Sequence, residues 1–424
     1  MSHYGSYDKV RRLWGMDLYA TYTEAEIDSA AKRKLHIVND YLTDLNTHLT
    51  NIKRRILIDD NTLLSMIAAL NAGFNVILYG PPGTAKSTIS SFLPVEFYGA
   101  RCNVHTADSD WNVRKVIGGI TVGYDTSATP VREQIGPKDG YIVDDILECY
   151  ESRLETTDFD TVFTVIDEFN RTNMDECLGP MFTAMGSDDK TLKLDYNKGF
   201  NDDFVQVKVP NGYRMICNMN KYDRTFTNEL SEALARRFKW IYVGAPEAEN
   251  YLQEQQIVEG NVFGSVAGIS PVNPVNLIDI EDCRNSTLFE SCITSKIYFV
   301  INDLRSDLEI GTSYKIDAVK LANHFFRLKL ATVNWSAYSG ADPATACTKS
   351  SASDIGVLTD PANRVQLTEL FEKIILDTID AALVMTVVPA CEALEDIDAI
   401  ERNRVRFESY ERCKKELERM KISL

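Results

Sequence analysis

Apolar residues along the chain fall into two kinds of pattern. In the first, Leu35, Val38, Leu42, Leu45 and Leu49 recur at spacings of three and four. That predicts a one-faced helix from about Ala31 to Arg55, after a shorter helix opening at Tyr22–Ile27. Asp59-Asp60-Asn61-Thr62 reads as the cap of a further helix through Leu64, Met66, Ile67 and Leu70, ended by Gly73. In the second pattern the apolar residues are consecutive and short. Asn75–Tyr79, Arg101–His105, Val162–Ile166, Tyr213–Asn218 and Lys239–Val243 read as strands, with helix-compatible stretches between them. Strand and helix alternating over 75–243 predict an α/β fold with a five-stranded parallel sheet and crossover helices. Two intervals read as β-hairpin insertions. One covers about Gly118–Gly140; the other pairs Thr191–Asp195 with Phe204–Val209 around Asn197-Lys198-Gly199.

Beyond Pro246 the pattern turns helical. Glu247–Val258 resumes helix, and 246–340 reads as a smaller α-helical domain. Residues 341–363, rich in Ala, Asp, Pro, Ser and Thr, read as a linker. Arg364–Val388 is amphipathic, with Leu367, Leu370, Phe371, Ile374, Ile375 and Ile379 on one face, and Pro389 breaks it. Glu392–Met420 predicts one more helix, charged on most faces and so solvated. The expected organisation is a helical segment (1–58), an α/β nucleotide-binding domain (59–245), the helical domain (246–340), the linker (341–363) and a C-terminal helical extension (364–424).

The candidate chemistry sits at the first strand's end. Gly80-Pro81-Pro82-Gly83-Thr84-Ala85-Lys86-Ser87 lies between that strand and a helix opening at Thr88. Such a turn aims backbone N–H groups and a helix N-terminus at one point, which suits a nucleotide's phosphates. Lys86 would reach the β/γ-phosphates and Ser87 would hold Mg²⁺. Ala85 stands where a second glycine is usual, so the turn is expected to need no left-handed geometry there. Three further groups complete a hydrolytic set. Asp167, ending the third strand, would fix Mg²⁺, and Glu168 would polarise the attacking water. Asn220, with Asn218 in reserve, would contact the γ-phosphate or its water. Arg236 and Arg237 close a helix just before the last strand and could reach out of the subunit into a neighbour's site.

Composition changes this picture little. Hydrophobic residues make up 44% and charged residues 25%, an ordinary globular balance. The net charge of −17 repels nucleic acid and makes a protein the better default partner. No apolar run is long enough to span a bilayer. The start, Met1-Ser2-His3-Tyr4, has no signal pattern, so a cytoplasmic location is expected. Nine scattered cysteines read as reduced thiols, and five isolated histidines offer no zinc motif.

Together, Gly80–Ser87, Asp167-Glu168-Phe169-Asn170-Arg171, Met219-Asn220-Lys221-Tyr222-Asp223-Arg224 and Arg236-Arg237-Phe238 resemble the MoxR-type AAA+ ATPases. An alanine before the lysine is common in that family. The Met-Asn-x-x-Asp-Arg and Arg-Arg-Phe stretches also resemble the McrB branch. Both branches belong to the clade with a helix-2 insert and a hairpin before sensor 1, in keeping with the two hairpins expected here. The resemblance covers about 60–325. It implies an AAA+ P-loop NTPase core with a helical lid, ATP and Mg²⁺ as cofactors, and assembly as a hexameric ring. An arginine would then act across subunits, and a partner protein would be remodelled, often one with a von Willebrand A domain. In the lid, Gly311-Thr312-Ser313-Tyr314-Lys315 is similar in spacing to the family's sensor 2, which makes Lys315 a candidate γ-phosphate contact. Two alternatives remain open at this point: a McrB-like motor, with GTP or ATP as its nucleotide, coupled to nucleic-acid processing, and a nucleotide-gated scaffold with little turnover.

Overall fold

In the computed structural model, the residues described are 22–35, 44–125, 132–155, 159–188, 190–197, 204–220, 237–263, 293–331, 364–393 and 397–423. They divide into two compact units: residues 1–80 with 86–243, and 81–85 with 244–424.

The first helices among the described residues of the first unit are α1 (Glu24–Lys32), α2 (Asp44–Arg55) and α3 (Asp60–Asn71). The continuous helix expected from Ala31 to Arg55 is not formed. Helix α1 stops at Lys32, where Arg33 turns to extended backbone, and 36–43 lie outside the described residues. The cap of α3 is as expected, with the Asp59 side chain accepting from the Thr62 N–H at 2.9 Å.

The sheet follows: β1 (Asn75–Gly80), α4 (Lys86–Tyr98), β2 (Arg101–Thr106), α5 (Val113–Val116), β3 (Gly118–Asp125), β4 (Arg132–Asp139), α6 (Tyr141–Leu154), β5 (Val162–Asp167), α7 (Met174–Gly186), β6 (Thr191–Asn197), β7 (Phe204–Lys208), β8 (Arg214–Asn220) and β9 (Phe238–Tyr242). Strand order is β2-β5-β8-β1-β9, and every pair is parallel. β3 with β4, and β6 with β7, form the two antiparallel hairpins. The predicted Asn197-Lys198-Gly199 turn falls largely outside the described residues.

Burial explains why these strands read as continuous apolar runs. With helices on both faces, β1, β5 and β8 are buried along nearly their whole length. Their core includes Ile77, Ile166, Phe169, Phe182, Cys217 and Phe238. A buried polar network ties β2, α6 and β5 together. The Asp145 carboxylate accepts from Asn103 at 2.7 Å and Thr164 at 2.5 Å and meets His105 Nε2 at 3.0 Å.

The second unit holds α8 (Tyr251–Phe263), α9 (Ile293–Leu304), α10 (Thr312–Ala331), α11 (Arg364–Thr386), α12 (Ile397–Arg406) and α13 (Glu411–Ser423). The amphipathic reading of α11 is supported at Ile374 and Ile379, which are buried, and a 3-10 turn containing Pro389 follows the helix. The last expectation is corrected. Instead of one solvated helix over 392–420 there are two, separated at 407–410, and they bury Ile400, Phe407, Tyr410, Cys413 and Leu417 in the unit's core. The predicted linker, 341–363, lies outside the described residues. Among the described residues no helix is long and apolar enough to cross a membrane.

Candidate active site

The parallel sheet places the ends of β1, β5 and β8 side by side. Gly80 pairs with Asn220 across the β1–β8 ladder, so the amide chosen from the sequence stands beside the first residue of the glycine-rich turn. The crevice at the carboxyl ends of such strands is where α/β sheets bind ligands.

Gly80 must be glycine. A Cβ there would lie 2.1 Å from the Val243 carbonyl oxygen. Gly83 has φ 76 and also uses the left-handed region. So does Ala85, at φ 63, and this corrects the expectation of ordinary geometry there. The turn requires left-handed backbone at this position, and the chain adopts it with a Cβ present, at a cost of about 1–2 kcal/mol. The Thr84 hydroxyl donates to the Pro81 carbonyl at 3.0 Å. Pro82 and Thr88 stay in their sequence places on either side of the lysine, the first in the turn and the second in the exposed first turn of α4. Lys86 is buried, and its Nζ donates to the Gly80 carbonyl at 3.1 Å, which curls the side chain back over the turn.

The metal candidates come together. Ser87 Oγ donates to Asp167 Oδ1 at 3.0 Å, joining residues 80 positions apart in sequence. Both offer hard oxygen donors, the set Mg²⁺ prefers. Asp167 Oδ1 also accepts the Glu168 N–H at 3.2 Å. Glu168 has φ 55, so it too is left-handed. Strained backbone of this kind clusters at functional sites. The Glu168 carboxylate is partly exposed and meets Arg171 Nε at 3.2 Å. Arg171 is the last residue of the Asp-Glu-Phe-Asn-Arg stretch, and its spacing of three from the acid is the sequence signal for this pair.

Asn218, the reserve choice, is buried. Its amide nitrogen donates to Ser90 Oγ at 2.9 Å, and Ser90 donates in turn to the Ser87 carbonyl at 3.1 Å. It braces α4 behind the turn rather than lining the crevice.

Two candidates spend their side chains elsewhere, although the start of α10 reaches the turn, the Ser313 N–H donating to the Gly83 carbonyl at 3.3 Å. Arg237 precedes Phe238, which pairs with Asn75 at the start of β1. It is therefore a strand's length, roughly 17 Å, from Gly80. There its Nε donates to the Phe182 carbonyl at 2.7 Å, and its guanidinium lies 5.8 Å from the Phe182 ring centroid. Arg236 lies outside the described residues. Lys315, in the first turn of α10, is only 2% exposed. Its Nζ donates to Glu254 Oε2 and Asn302 Oδ1, each at 2.5 Å, between the rings of Tyr251 and Tyr298. Glu254 also accepts from Arg305 through both oxygens, at 2.8 and 2.6 Å, and from Thr312 at 2.9 Å. Burial and the Arg305 charge draw Lys315 down to about 8. Burial pushes the Glu254 carboxyl up, but Arg305 and Lys315 outweigh it and leave the group below its ordinary value. One carboxylate shared by two cations satisfies itself better than either of them.

Comparison with known proteins agrees with this geometry. Residues 75–238 match the AAA domain of the dynein-related subfamily. The type IV methyl-directed restriction enzyme EcoKMcrB subunit of Escherichia coli (strain K12) is 24% identical over 234 residues, which cover 53% of this chain and 46% of that protein. The chain thus spans about half the length of the curated relative it matches. A solved chain from Cytophaga hutchinsonii, provisionally assigned as an ATPase, overlaps 73% of this chain and 83% of its own length, at 14% identity and a TM-score of 0.35. That overlap is too loose to bear on the site. Sheet order, strand-end chemistry and the match over 75–238 converge on an AAA-type P-loop NTPase domain in this part of the chain.

Proposed function

We propose that the chain is a Mg²⁺-dependent ATPase that works as a homo-oligomeric ring, a hexamer on the MoxR-type reading, and remodels or activates a partner protein. The observation that carries the hydrolytic part is the 3.0 Å contact between Ser87 and Asp167 at the same sheet end as Lys86, Glu168 and Asn220. Ser87 and Asp167 would hold Mg²⁺, which would supply neutralisation of the nucleotide's phosphate charge. Backbone N–H groups of the Gly80–Ser87 turn and the Lys86 ammonium take the phosphate oxygens. Glu168 accepts a proton from the attacking water, and Asn220 orients that water or the γ-phosphate.

Arg237, at the far end of its own β1, is suited to a neighbour's site rather than its own, and Arg236 shares this reading. The test mixes two inactive proteins. Arg237→Ala lacks the arginine and Lys86→Ala lacks the phosphate lysine. Phosphate release should recover on mixing, because one interface then carries both groups. A stable mixed oligomer with no recovery would rule out action across subunits.

The partner reading rests on the MoxR-type motifs and on the net charge of −17, which favours a protein over nucleic acid. A von Willebrand A domain is the partner class that resemblance suggests, and the cytoplasm the compartment. The similarity to a restriction-enzyme subunit favours one second reading, an NTPase coupled to a nucleic-acid-processing partner. GTP used in preference to ATP, together with binding to duplex DNA, would favour that reading over the first.

A further inference from the structure

The first unit carries a second cationic site at the opposite end of the sheet. A cavity of about 210 Å³ opens where β1 and β8 begin, and Lys190, Arg214 and Arg237 line it with no carboxylate among its described lining residues. Arg214 is only 6% exposed. Its Nε donates to the Leu70 carbonyl at 2.9 Å, and its Nη1 to the Asn211 and Tyr213 carbonyls at 2.7 and 2.8 Å. All three acceptors are neutral, and among the described residues Nη2 makes no hydrogen bond. Lys190 reaches Asn211 Oδ1 at 3.1 Å, again a neutral acceptor.

Like charges are thus gathered where burial is already costly. Burial, and then the Arg214 charge, lowers the pKa of Lys190. Burial draws Arg214 down to about 10. The carbonyl end of α3 accounts for one guanidinium through Leu70. It does not account for a lysine beside it. Lys190 is also held at φ 49, in the left-handed region. The other two described non-glycine residues with positive φ are Ala85 and Glu168.

We propose that this cavity binds a small oxyanion, a phosphate or carboxylate group, between Lys190 and the free edge of Arg214, with Arg237 on its wall. A guanidinium edge and an ammonium meeting one oxyanion form charge-assisted hydrogen bonds, and the anion removes the repulsion between the two cations. Within one chain the site lies at the opposite end of the sheet from Gly80–Ser87; Lys190 and Arg214 carry it, so it does not rest on the hydrolytic reading or on the role proposed for Arg237 in a neighbour.

Isothermal titration of the Lys86→Ala protein tests it, since that background removes the phosphate lysine. Inorganic phosphate and succinate are titrated separately at matched ionic strength, so that general screening cancels. One saturable site is expected, with a dissociation constant of about 1 mM or below. Adding Lys190→Gln should weaken it by about tenfold or more. Tighter phosphate would identify a phosphate group as the natural ligand, and tighter succinate a carboxylate. Arg214→Lys should weaken binding while keeping the charge, because the forked edge is lost. If that variant does not fold, Lys190→Gln still decides, because Lys190 is partly exposed. No saturable heat with either anion, or binding unchanged by Lys190→Gln in a folded protein, would overturn the proposal.

Discussion

Glu168 and Glu254 are the same residue type put to opposite uses. Glu168 sits on a left-handed backbone at a strand end, partly exposed, with a single cation, Arg171, at 3.2 Å. Glu254 is fully buried inside the helical unit and accepts from Arg305, Lys315 and Thr312. A carboxylate with spare lone pairs at a strained position can take a proton from something that arrives. A saturated one cannot, and its contribution is to hold α8, α9 and α10 together. Accessibility and unused acceptor capacity separate the two.

The sharpest way to break that contrast is Glu168→Gln. The amide keeps size and most packing but cannot accept a proton. Phosphate release should fall by about 10²–10⁴-fold, the range for a lost general base. Stability should move by no more than about 0.5 kcal/mol, as for other partly exposed sites. Near-normal turnover, or a large loss of stability, would erase the distinction.

Glu254→Gln should do the reverse. It leaves Arg305 and Lys315 buried without an anion, which costs about 3–5 kcal/mol. Denaturant unfolding of the whole chain measures this, read on the transition of the helical unit. The pH dependence separates the groups. Glu254 is lowered in the folded state, so its stabilisation is complete above the ordinary carboxylate pKa and lost as pH falls through the lower folded value. Lys315 is also lowered, to about 8. Between about pH 8 and the unfolded lysine value the folded chain binds fewer protons than the unfolded one, so stability rises with pH there. Glu254→Gln should flatten the acid limb, and Lys315→Met the alkaline rise. Unchanged limbs in both variants would remove the buried cluster as the source.

The two regions also differ in how far the sequence reveals them. The phosphate turn, Asp167 and Glu168 are legible because local spacing fixes them: a strand, then a turn, then a helix or an acid. Asn220 is legible as a strand-end amide, yet only the β1–β8 register sets it against Gly80. The helical unit is hidden for a physical reason. Lys315 and Glu254 are 61 residues apart, so no local pattern reports that one neutralises the other. From the turn between the last two helices into the final one, abundant charge masks the spacing of Phe407, Tyr410, Cys413 and Leu417, which is three, three and four and points to a buried face. Burial of a minority stripe is a tertiary fact, and composition averages it away. The Lys190–Arg214 cavity is hidden in the same way, its cations arriving from two separate strand approaches.

The smallest expected effect probes the strain that sets Glu168's side of the comparison apart. Ala85 and Glu168 both hold left-handed backbone at the crevice, while Gly83 reaches it without a Cβ. Ala85→Gly removes a steric cost of about 1–2 kcal/mol in the folded turn. It also adds about 0.4–1 kcal/mol of chain entropy to the unfolded state. The net is a stabilisation of about 0.5 kcal/mol, visible as a small rise in unfolding midpoint at unchanged denaturant slope. Ala85→Val carries a branched side chain into the same φ and should destabilise by more than the glycine gains. If glycine lowers the midpoint and valine leaves it alone, Ala85 is not strained. The left-handed turn would then be a relaxed feature, and the argument that this crevice stores strain would rest on Glu168 alone.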